Sequence, residues 1–262
     1  MSSGPLMTVD WHLQVAPGLL APQDAMAGEE NLLTAIARGQ APATAWIWRS
    51  QRCLVVPASQ ARHARFEDAK AALTAAGWPV VMRRSGGSPV PLDPGTLNLS
   101  LAFPAPDTHP WQLDDGFRLL TGILIAALGE LGLHATCGMV PDAFCAGRYD
   151  LAIDGRKIAG TAQHWRGGRD AAGRRQQAIL AHVTLLVAPD LAGGSDIIDQ
   201  WTHNLHEASR HNRHRVAALC DFLDRALDPP GTLIATVIAA ITRQLTAQVV
   251  QPRPIRHSWA TV

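Results

Sequence analysis

The sequence predicts an α+β fold in which helices flank a mixed, largely antiparallel sheet. In the segment Thr96–Phe103 three leucines alternate with smaller or polar residues, the period of two that is typical of a strand with one buried face. The strand patterns Tyr149–Ile153 and Lys157–Trp165 flank Asp154-Gly155, a strong hairpin signal. Because strands are joined partly by hairpins and partly by helices, the pattern favours α+β over a doubly wound fold.

The remaining elements follow from apolar spacing and from the residues that end each run. Glycines close the first two helical patterns, at Gly39 and Gly77. The predicted helices are Gln23–Arg38, Ala61–Ala76, Asp114–Leu131, Asp196–Ala226 and Thr232–Gln248. The other predicted strands are Ala45–Arg49, Cys53–Val56, Val80–Arg84 and Ala178–Val187. We expect residues 1–262 to form a single domain with C-terminal helices at about 196–248 and no separate accessory domain.

Composition narrows the classes of function. With 47% hydrophobic and 17% charged residues, the 262-residue chain has enough apolar material for a large core. A net charge of +1 lacks the basic excess that a nucleic-acid partner requires. No apolar run approaches the ~20 residues of a membrane span, and Pro17 interrupts the stretch that a signal peptide needs. We therefore expect a cytoplasmic protein without a membrane or nucleic-acid partner, whose four cysteines are reduced thiols.

Lysine is rare in this chain: Lys70 and Lys157 are the only two, and every other strong base is arginine. Lys70 fits the surface of a predicted helix. Lys157 instead starts a strand directly after a tight turn. Under a bias toward arginine, a lysine is retained where a compact ammonium group is needed and a planar guanidinium would not fit.

Three segments carry the remaining signal. The first contains Arg83-Arg84-Ser85-Gly86-Gly87 and leads to the strand Leu97-Asn98-Leu99-Ser100. The second joins Gly147-Arg148-Tyr149-Asp150-Leu151 to Gly155-Arg156-Lys157-Ile158-Ala159-Gly160-Thr161-Ala162-Gln163, and the third is Ala181-His182-Val183-Thr184-Leu185-Leu186. In this order, the three resemble motifs of the biotin/lipoate protein ligase superfamily, within its branch of lipoate-protein ligases and octanoyltransferases.

The resemblance implies the class II biotin/lipoate ligase-like catalytic fold and a specific reaction. Lipoate or octanoate would be activated with ATP and Mg²⁺ as an acyl-adenylate and joined in amide linkage to a lysine of an acyl-carrier protein, such as a lipoyl domain. Many such ligases carry a small C-terminal accessory domain. Here a separate accessory subunit would supply it, or the enzyme would act without it.

The resemblance also assigns candidate site residues. Lys157 would stabilise the negative charge that develops on the carbonyl or phosphate, as electrostatic groups do in dry sites. The leucines of Thr96–Phe103 would wall an acyl tunnel. Asp150 would lie near the nucleotide, or would simply pair with Arg148 or Arg156. The acyl- or nucleotide-binding candidates are Arg83, Arg84, Ser85, Gly86, Gly87, Asn98, Asp150, Gly160, Thr161, Ala162 and His182. No resident metal ligands are predicted. Because side chains alternate along a strand, either Arg83 or Arg84 must point away from the site. Taken without the other segments, His182 would be an ordinary core histidine.

Two alternatives to the ATP-dependent ligase stay open. Some octanoyltransferases of this superfamily carry the acyl group as a thioester on a cysteine, and Cys145 is the candidate here, with Lys157 and Arg148 to stabilise its thiolate. Ser88-Pro89 stands where ligases have a third glycine, and Leu92-Asp93 where they have a His-Asp pair. The other alternative is a non-catalytic protein that binds lipoyl domains.

Two further segments have competing interpretations. The histidine-rich stretch Trp201–Arg215 places His203, Glu207, His211 and His214 on one helical face, which we interpret as the solvated side of an amphipathic helix and not as a metal site. The basic, glycine-rich segment Arg166–Arg175 is expected to be a loop. It is either a flexible, solvated connection, or it closes over the anionic intermediate or meets an acidic carrier domain.

Overall fold

The computed structural model describes residues 9–105, 111–208, 211–223 and 230–247. Its helices are α1 (Pro22–Ala37), α2 (Phe66–Ala75), α3 (Leu113–Glu130), α4 (Leu191–Asn204) and α5 (Pro230–Thr246). Its strands are β1 (His12–Leu20), β2 (Thr44–Ser50), β3 (Cys53–Pro57), β4 (Val80–Arg83), β5 (Val90–Leu92), β6 (Thr96–Pro104), β7 (Thr136–Cys137), β8 (Leu151–Ile153), β9 (Arg156–Arg169) and β10 (Arg175–Leu186).

The strands form two sheets. The larger has the order β1-β2-β6-β10-β9-β8-β7, in which only the β1–β2 pair is parallel. The smaller has the order β4-β3-β5 and contains one parallel and one antiparallel pair. The predicted α+β class with a mixed, largely antiparallel sheet is therefore confirmed.

Helices cover both faces of the larger sheet at β6. Leu97, Leu99 and Leu101 point into the main apolar core, which α3 and α5 complete. On the opposite face, Ala102 packs against Leu33 of α1. The sequence analysis predicted only one buried face for this strand, and that was wrong because α1 covers the polar face as well. The buried polar side chains of β6 thus need partners within the protein.

Helix α1 explains how a charged residue reaches that face. Pro22 begins the helix, a position where its missing N–H is not needed. The buried stripe of the helix runs through Ala25, Glu29, Leu33 and Ile36, which follow one another at intervals of three or four residues. Glu29 therefore lies on the side of α1 that packs on the sheet.

The predicted helix Asp196–Ala226 is wrong beyond Asn204 in its described part; its residues 209–210 and 224–226 lie outside the described residues. Helix α4 starts earlier, where the Asp190 carboxylate accepts a hydrogen bond from the Gly193 N–H, and ends at Asn204. Beyond it, His206 adopts a positive φ of 59°, which stops the helix, and short 3-10 helices follow at Arg213–Arg215 and Leu219–Asp221. The last helix, predicted over Thr232–Gln248, begins two residues earlier and ends at Thr246, and Gln248 lies outside the described residues.

Two further expectations are corrected, and three strands were not predicted. The segment Arg166–Arg175 is not a loop, because β9 continues to Arg169 and pairs with β10 up to Arg175. The predicted helix Ala61–Ala76 is a 3-10 helix at Ala58–Arg62 followed by α2. Strands β1, β5 and β7 had no prediction, and β5 and β7 are only three and two residues long. Within the described residues, we find no helix with the length and apolar character needed to cross a membrane.

Gly168 sets how closely α1 approaches β9. A Cβ at this position would overlap the carbonyl oxygen of Ala37 at the end of the helix. We expect Gly168→Ala to lower the free energy of unfolding by about 1–3 kcal/mol, because overpacking must displace backbone atoms. Gly122→Ala is the control, since a Cβ there meets open space and removing a helical glycine stabilises by roughly 0.5–1 kcal/mol. Urea denaturation measures both, and equal effects would contradict this account.

Candidate functional site

A pocket of about 630 Å³, its open mouth included, lies between the two sheets. The larger sheet forms its floor, the smaller sheet forms one wall, and α1 with the segment before β8 completes it. The lining residues are Met26, Glu29, Trp48, Val55, Arg83, Val90, Leu92, Asn98, Phe144, Cys145, Lys157, Gly160, Thr161, Ala162, His182, Val183, Thr184 and Leu186. Most are apolar, so the pocket combines an apolar interior with a few charged groups, as ligand sites commonly do.

Arg83 ends β4 and is buried at the edge of the pocket. Its guanidinium donates hydrogen bonds to the carbonyl oxygens of Val55, Gly86 and Ser88 at 3.2, 2.9 and 2.8 Å. Burial lowers its pKa, while the thiol of Cys145 and the carboxylate of Glu29 oppose that shift. Arg83 thus shapes the glycine turn and adds positive charge beside Cys145.

The neighbouring residues of this turn divide between two environments. Arg84 is exposed, and its side chain approaches Glu30 at 3.5 Å. Gly87 has a φ of +105°, and a Cβ there would lie 2.9 Å from the Arg83 guanidinium and 3.3 Å from Cys145 Sγ. Gly87 is therefore needed both for its backbone conformation and for the close approach of these two side chains. Gly86 and Gly87 are not among the residues that line the pocket.

Cys145 lies at the pocket in an unusual backbone conformation. Its φ is +49°, a left-handed value that is uncommon for a residue with a side chain. Its Sγ lies 3.4 Å from both the backbone N–H and the carbonyl oxygen of Ser88, so the sulfur faces the glycine turn. Strained residues of this kind concentrate at functional sites.

Lys157 stabilises the left-handed backbone conformation of Cys145. Its side chain is buried, with 1% of the residue exposed, and its ammonium group donates to the carbonyl oxygens of Phe144 at 3.1 Å and Cys145 at 2.5 Å. The same group pairs with the Asp150 carboxylate at 3.0 Å. A single cation therefore connects the turn before β8, the start of β9 and the backbone of Cys145.

Asp150 is fully buried behind Lys157 and does not line the pocket. Burial raises its pKa, although the charge of Lys157 and the Gly147 N–H at 2.8 Å oppose the shift. Its second oxygen, Oδ1, has no hydrogen-bond partner. The sequence analysis left Arg148 and Arg156 as partners for Asp150, but Arg148 pairs with Asp114 and Arg156 stacks on Phe222. The cations near Cys145 are accordingly Arg83 and Lys157.

A chain of hydrogen bonds crosses the other side of the pocket. His182 Nδ1 donates to the Glu29 carboxylate at 2.8 Å, and its Nε2 lies 2.9 Å from the Ser85 hydroxyl. Ser100 also donates to Glu29, at 2.6 Å, and accepts from the Trp48 indole at 2.9 Å. Burial acts to raise the pKa of Glu29, but attraction to His182, hydrogen bonds from His182 and Ser100 and the charge on Arg83 outweigh it, so the pKa lies below its usual value.

The structure brings most of the predicted residues together. Eight line the pocket directly: Arg83, Asn98, Cys145, Lys157, Gly160, Thr161, Ala162 and His182. Ser85, Gly86, Gly87 and Asp150 support it from behind, whereas Arg84 points to solvent. The leucines of β6, predicted to wall an acyl tunnel, instead face the main core, because side chains alternate across the strand.

Sequence reasoning missed Glu29, Met26 and Trp48. A glutamate at a position of the apolar stripe of α1 was a signal for Glu29, because a charged residue within such a stripe is buried and needs a partner. Met26 and Trp48 carried no distinguishing signal. The histidines of Trp201–Arg215 do not share a helical face, since α4 ends at Asn204, and the described residues contain no group of three or more potential metal ligands.

Comparison with known proteins identifies this arrangement. The family model of the lipoyl protein ligase A/B catalytic domain matches residues 21–246, which include every pocket residue. The chain belongs to this family. The resemblance drawn from the three sequence segments is thereby confirmed.

The chain is similar to several relatives and, in its fold, to solved structures. An uncharacterised protein of Cupriavidus necator is 34% identical over 86% of this chain and 92% of its own length. An octanoyl-[GcvH]:protein N-octanoyltransferase of Kyrpidia tusciae is 34% identical over 75% of this chain and 66% of its own length. The chain spans about half the length of further octanoyltransferases that it matches. A crystal structure of lipoate-protein ligase A bound with ATP has a similar fold, with a TM-score of 0.63 and 20% identity over 89% of this chain and 85% of that one.

The lowered pKa of Glu29 predicts how this family member responds to acid. A carboxylate whose folded pKa lies below its unfolded value of 4.5 stabilises the protein above that pH and loses this contribution as the pH falls through the folded value. We expect Glu29→Gln to lower the free energy of unfolding by about 1–3 kcal/mol at pH 7 and by less below pH 4.5. Glu67→Gln, at an exposed side chain, is the control. A pH-independent difference in chemical denaturation would contradict the assignment.

The two lysines provide a matched test of the buried ion pair. Lys157→Met leaves the Asp150 carboxylate buried without its cation, and such losses cost about 3–5 kcal/mol of stability. Lys70→Met removes a partly exposed lysine and should change stability by less than about 0.5 kcal/mol. Adding Asp150→Leu to Lys157→Met should restore part of the loss. Thermal or urea unfolding decides, and a double variant less stable than the single one would contradict the pairing.

Proposed function

We propose that this protein transfers an octanoyl or lipoyl group between lysines of carrier proteins through a thioester on Cys145. The donor is octanoyl-GcvH, as in the name of the Kyrpidia relative, and the acceptor is a lipoyl-domain protein. The observation that supports this route over the ligase route is the position of Cys145: it lines the pocket, its sulfur interacts with the buried Arg83, and its backbone carbonyl accepts a hydrogen bond from the buried Lys157.

The surroundings of Cys145 suit a nucleophile. Arg83 interacts with the sulfur by charge and hydrogen bonding, and the Ser88 N–H is directed at it. Lys157 fixes the backbone of Cys145 and adds a second positive charge within the pocket wall. Positive charge and N–H donors stabilise a thiolate, which is the reactive form of cysteine.

The reaction exchanges one amide for another in two steps. The Cys145 thiolate attacks the carbonyl carbon of the acyl-lysine, the C–N bond breaks, and the donor lysine leaves as an amine after taking up a proton. The ε-amine of the acceptor lysine then attacks the thioester, loses a proton, and releases the thiolate. Since an amide bond is broken and an equivalent one is formed, no net input of ATP is required.

The carboxylates around the pocket do not suit Mg²⁺. Magnesium prefers carboxylate oxygens, but Asp150 is buried behind Lys157, and Glu29 is occupied by His182 and Ser100. Asp93 accepts hydrogen bonds from the N–H groups of Gly95 and Asp190. These three carboxylates are therefore already occupied by partners within the protein and are not free to hold Mg²⁺ for an acyl-adenylate route. The ligase reaction predicted from sequence is the alternative that the experiment must exclude.

We further propose that the chain acts as a single catalytic unit, without an accessory subunit. Residues of α1, both sheets and the turn before β8 all line one pocket, so the site needs no contribution from a second protein. The tip between β9 and β10 does not line the pocket, and we propose that it contacts the acyl-carrier protein.

Intact-mass analysis tests the thioester. After incubation with octanoyl-GcvH and no ATP, we expect the protein to gain the mass of one octanoyl group, to lose it on treatment with hydroxylamine, and to pass it to a second lipoyl domain. Cys145→Ala should abolish both the adduct and the transfer. Cys220→Ala, a cysteine outside the pocket, should leave both unchanged.

The other outcomes discriminate between the alternatives. Carrier modification from free octanoate that requires ATP and survives Cys145→Ala would establish the ligase reaction instead. Carrier binding without any modification would indicate a non-catalytic lipoyl-domain-binding protein. Failure of the chain to act until a second protein is added would contradict the single-unit proposal.

A further inference from the structure

The floor of the pocket contains a buried amide group with one unpaired end. Asn98 of β6 is 3% exposed and lines the pocket. Its Oδ1 accepts a hydrogen bond from the Thr184 hydroxyl at 2.8 Å. Its Nδ2 has no partner. A buried N–H donor without an acceptor is rare in folded proteins, and because Asn98 lines the pocket, a bound ligand can supply the missing acceptor.

The sheet register shows where this donor lies relative to Lys157. Asn98 is directly opposite Thr184, and Thr184 is directly opposite Gly160. The absent side chain of Gly160 makes room for Lys157, whose ammonium nitrogen lies 3.1 Å from the place of a Cβ. On the far side of Asn98, the register continues to Trp48 of β2. A row across the floor therefore runs from Lys157 over Gly160 and Thr184 to Asn98.

The length of this row matches an acyl chain. Neighbouring strands are about 4.8 Å apart, so Gly160 and Asn98 are separated by roughly 9.6 Å, close to the length of an extended eight-carbon chain. An acyl group whose carbonyl lies near Lys157 and Cys145 would have its far end at Asn98. Beyond Asn98 the pocket is closed by the apolar side chains of Trp48, Val55 and Leu92.

We propose that Asn98 Nδ2 donates a hydrogen bond to a ring sulfur of a bound lipoyl group, and that this makes the pocket prefer lipoyl to octanoyl chains. The inference rests on the proposed function, because it assumes that the acyl group binds in this pocket. The lipoyl chain ends in a ring with two sulfur atoms, which are weak acceptors. The octanoyl chain ends in methylene and methyl groups, which would expel water from the amide and leave its N–H unpaired.

Binding of neutral amides tests the inference without requiring any transfer. Isothermal titration would use three probes: lipoamide, octanamide and cyclopentylpentanamide, in which methylene groups replace both sulfur atoms of the lipoyl ring. We expect lipoamide to bind the unmodified protein about tenfold more tightly than either other amide, a difference of about 1.4 kcal/mol. The cyclopentyl probe separates the effect of sulfur from that of ring shape.

Asn98→Leu replaces the amide by an apolar group of similar size. It should remove the preference for lipoamide over cyclopentylpentanamide and strengthen the binding of octanamide. Leu99→Val is the matched control, because it changes the neighbouring residue of β6 that faces the main core. That variant should lower stability and leave the ratio of affinities unchanged.

Equal affinities of lipoamide and the cyclopentyl probe would overturn the proposal, as would a preference that persists in Asn98→Leu or the binding of none of the amides. If Asn98→Leu did not fold, the comparison of the three probes on the unmodified protein would still decide. The same titrations with Cys145→Ala should give the same ratios. An absence of acyl-Cys145 would thus refute the transfer route alone, and an absence of the sulfur preference would refute the role of Asn98 alone.

Discussion

The ammonium group of Lys157 is the constraint on which the rest of the site depends. It binds one carboxylate and two backbone carbonyls within a volume from which water is excluded. Because a charge in such surroundings requires all its partners, the segment that carries Phe144 and Cys145 must stay in place for Lys157 to remain satisfied. The left-handed backbone of Cys145 is thus maintained by an electrostatic requirement of the core. A guanidinium is planar and larger, and could not meet three acceptors converging on one point.

The two sheets contribute different side chains to the pocket. The larger sheet supplies a floor on which polar groups are placed at regular strand spacing, and the smaller sheet supplies apolar side chains and Arg83 above it. The smaller sheet consists of short strands. Arg83 stabilises the glycine turn after β4 by donating hydrogen bonds to three backbone carbonyl groups. An apolar acyl chain and a charged reaction centre can therefore occupy adjacent parts of one cavity.

Much of this arrangement could be predicted from the sequence, and the limits have physical causes. Lys157 and the Asp154-Gly155 hairpin were identified because local turn chemistry and residue scarcity are visible in the chain itself. The sequence did not show that Lys157, and not Arg148 or Arg156, is the partner of Asp150, because a side chain's partner depends on which strands are neighbours in space. The role of Glu29 was missed since it depends on packing between α1 and a strand about 70 residues away along the chain. The predicted helix extended too far beyond the end of α4, because the prediction used apolar spacing alone and this does not reveal the positive φ of His206.

The order of strands in the larger sheet also has a consequence for how the protein is made. Strand β6 lies between β2 and β10. The hydrogen-bonded side chains of Asn98 on β6 and Thr184 on β10 are 86 residues apart along the chain. Contacts at such separations form late, since the loop that joins them must close first. During synthesis on the ribosome, β2 precedes β6 but β10 follows it, so one edge of β6 lacks its partner strand until β10 has been translated. Exposed strand edges promote aggregation, and chaperones protect nascent chains in this state.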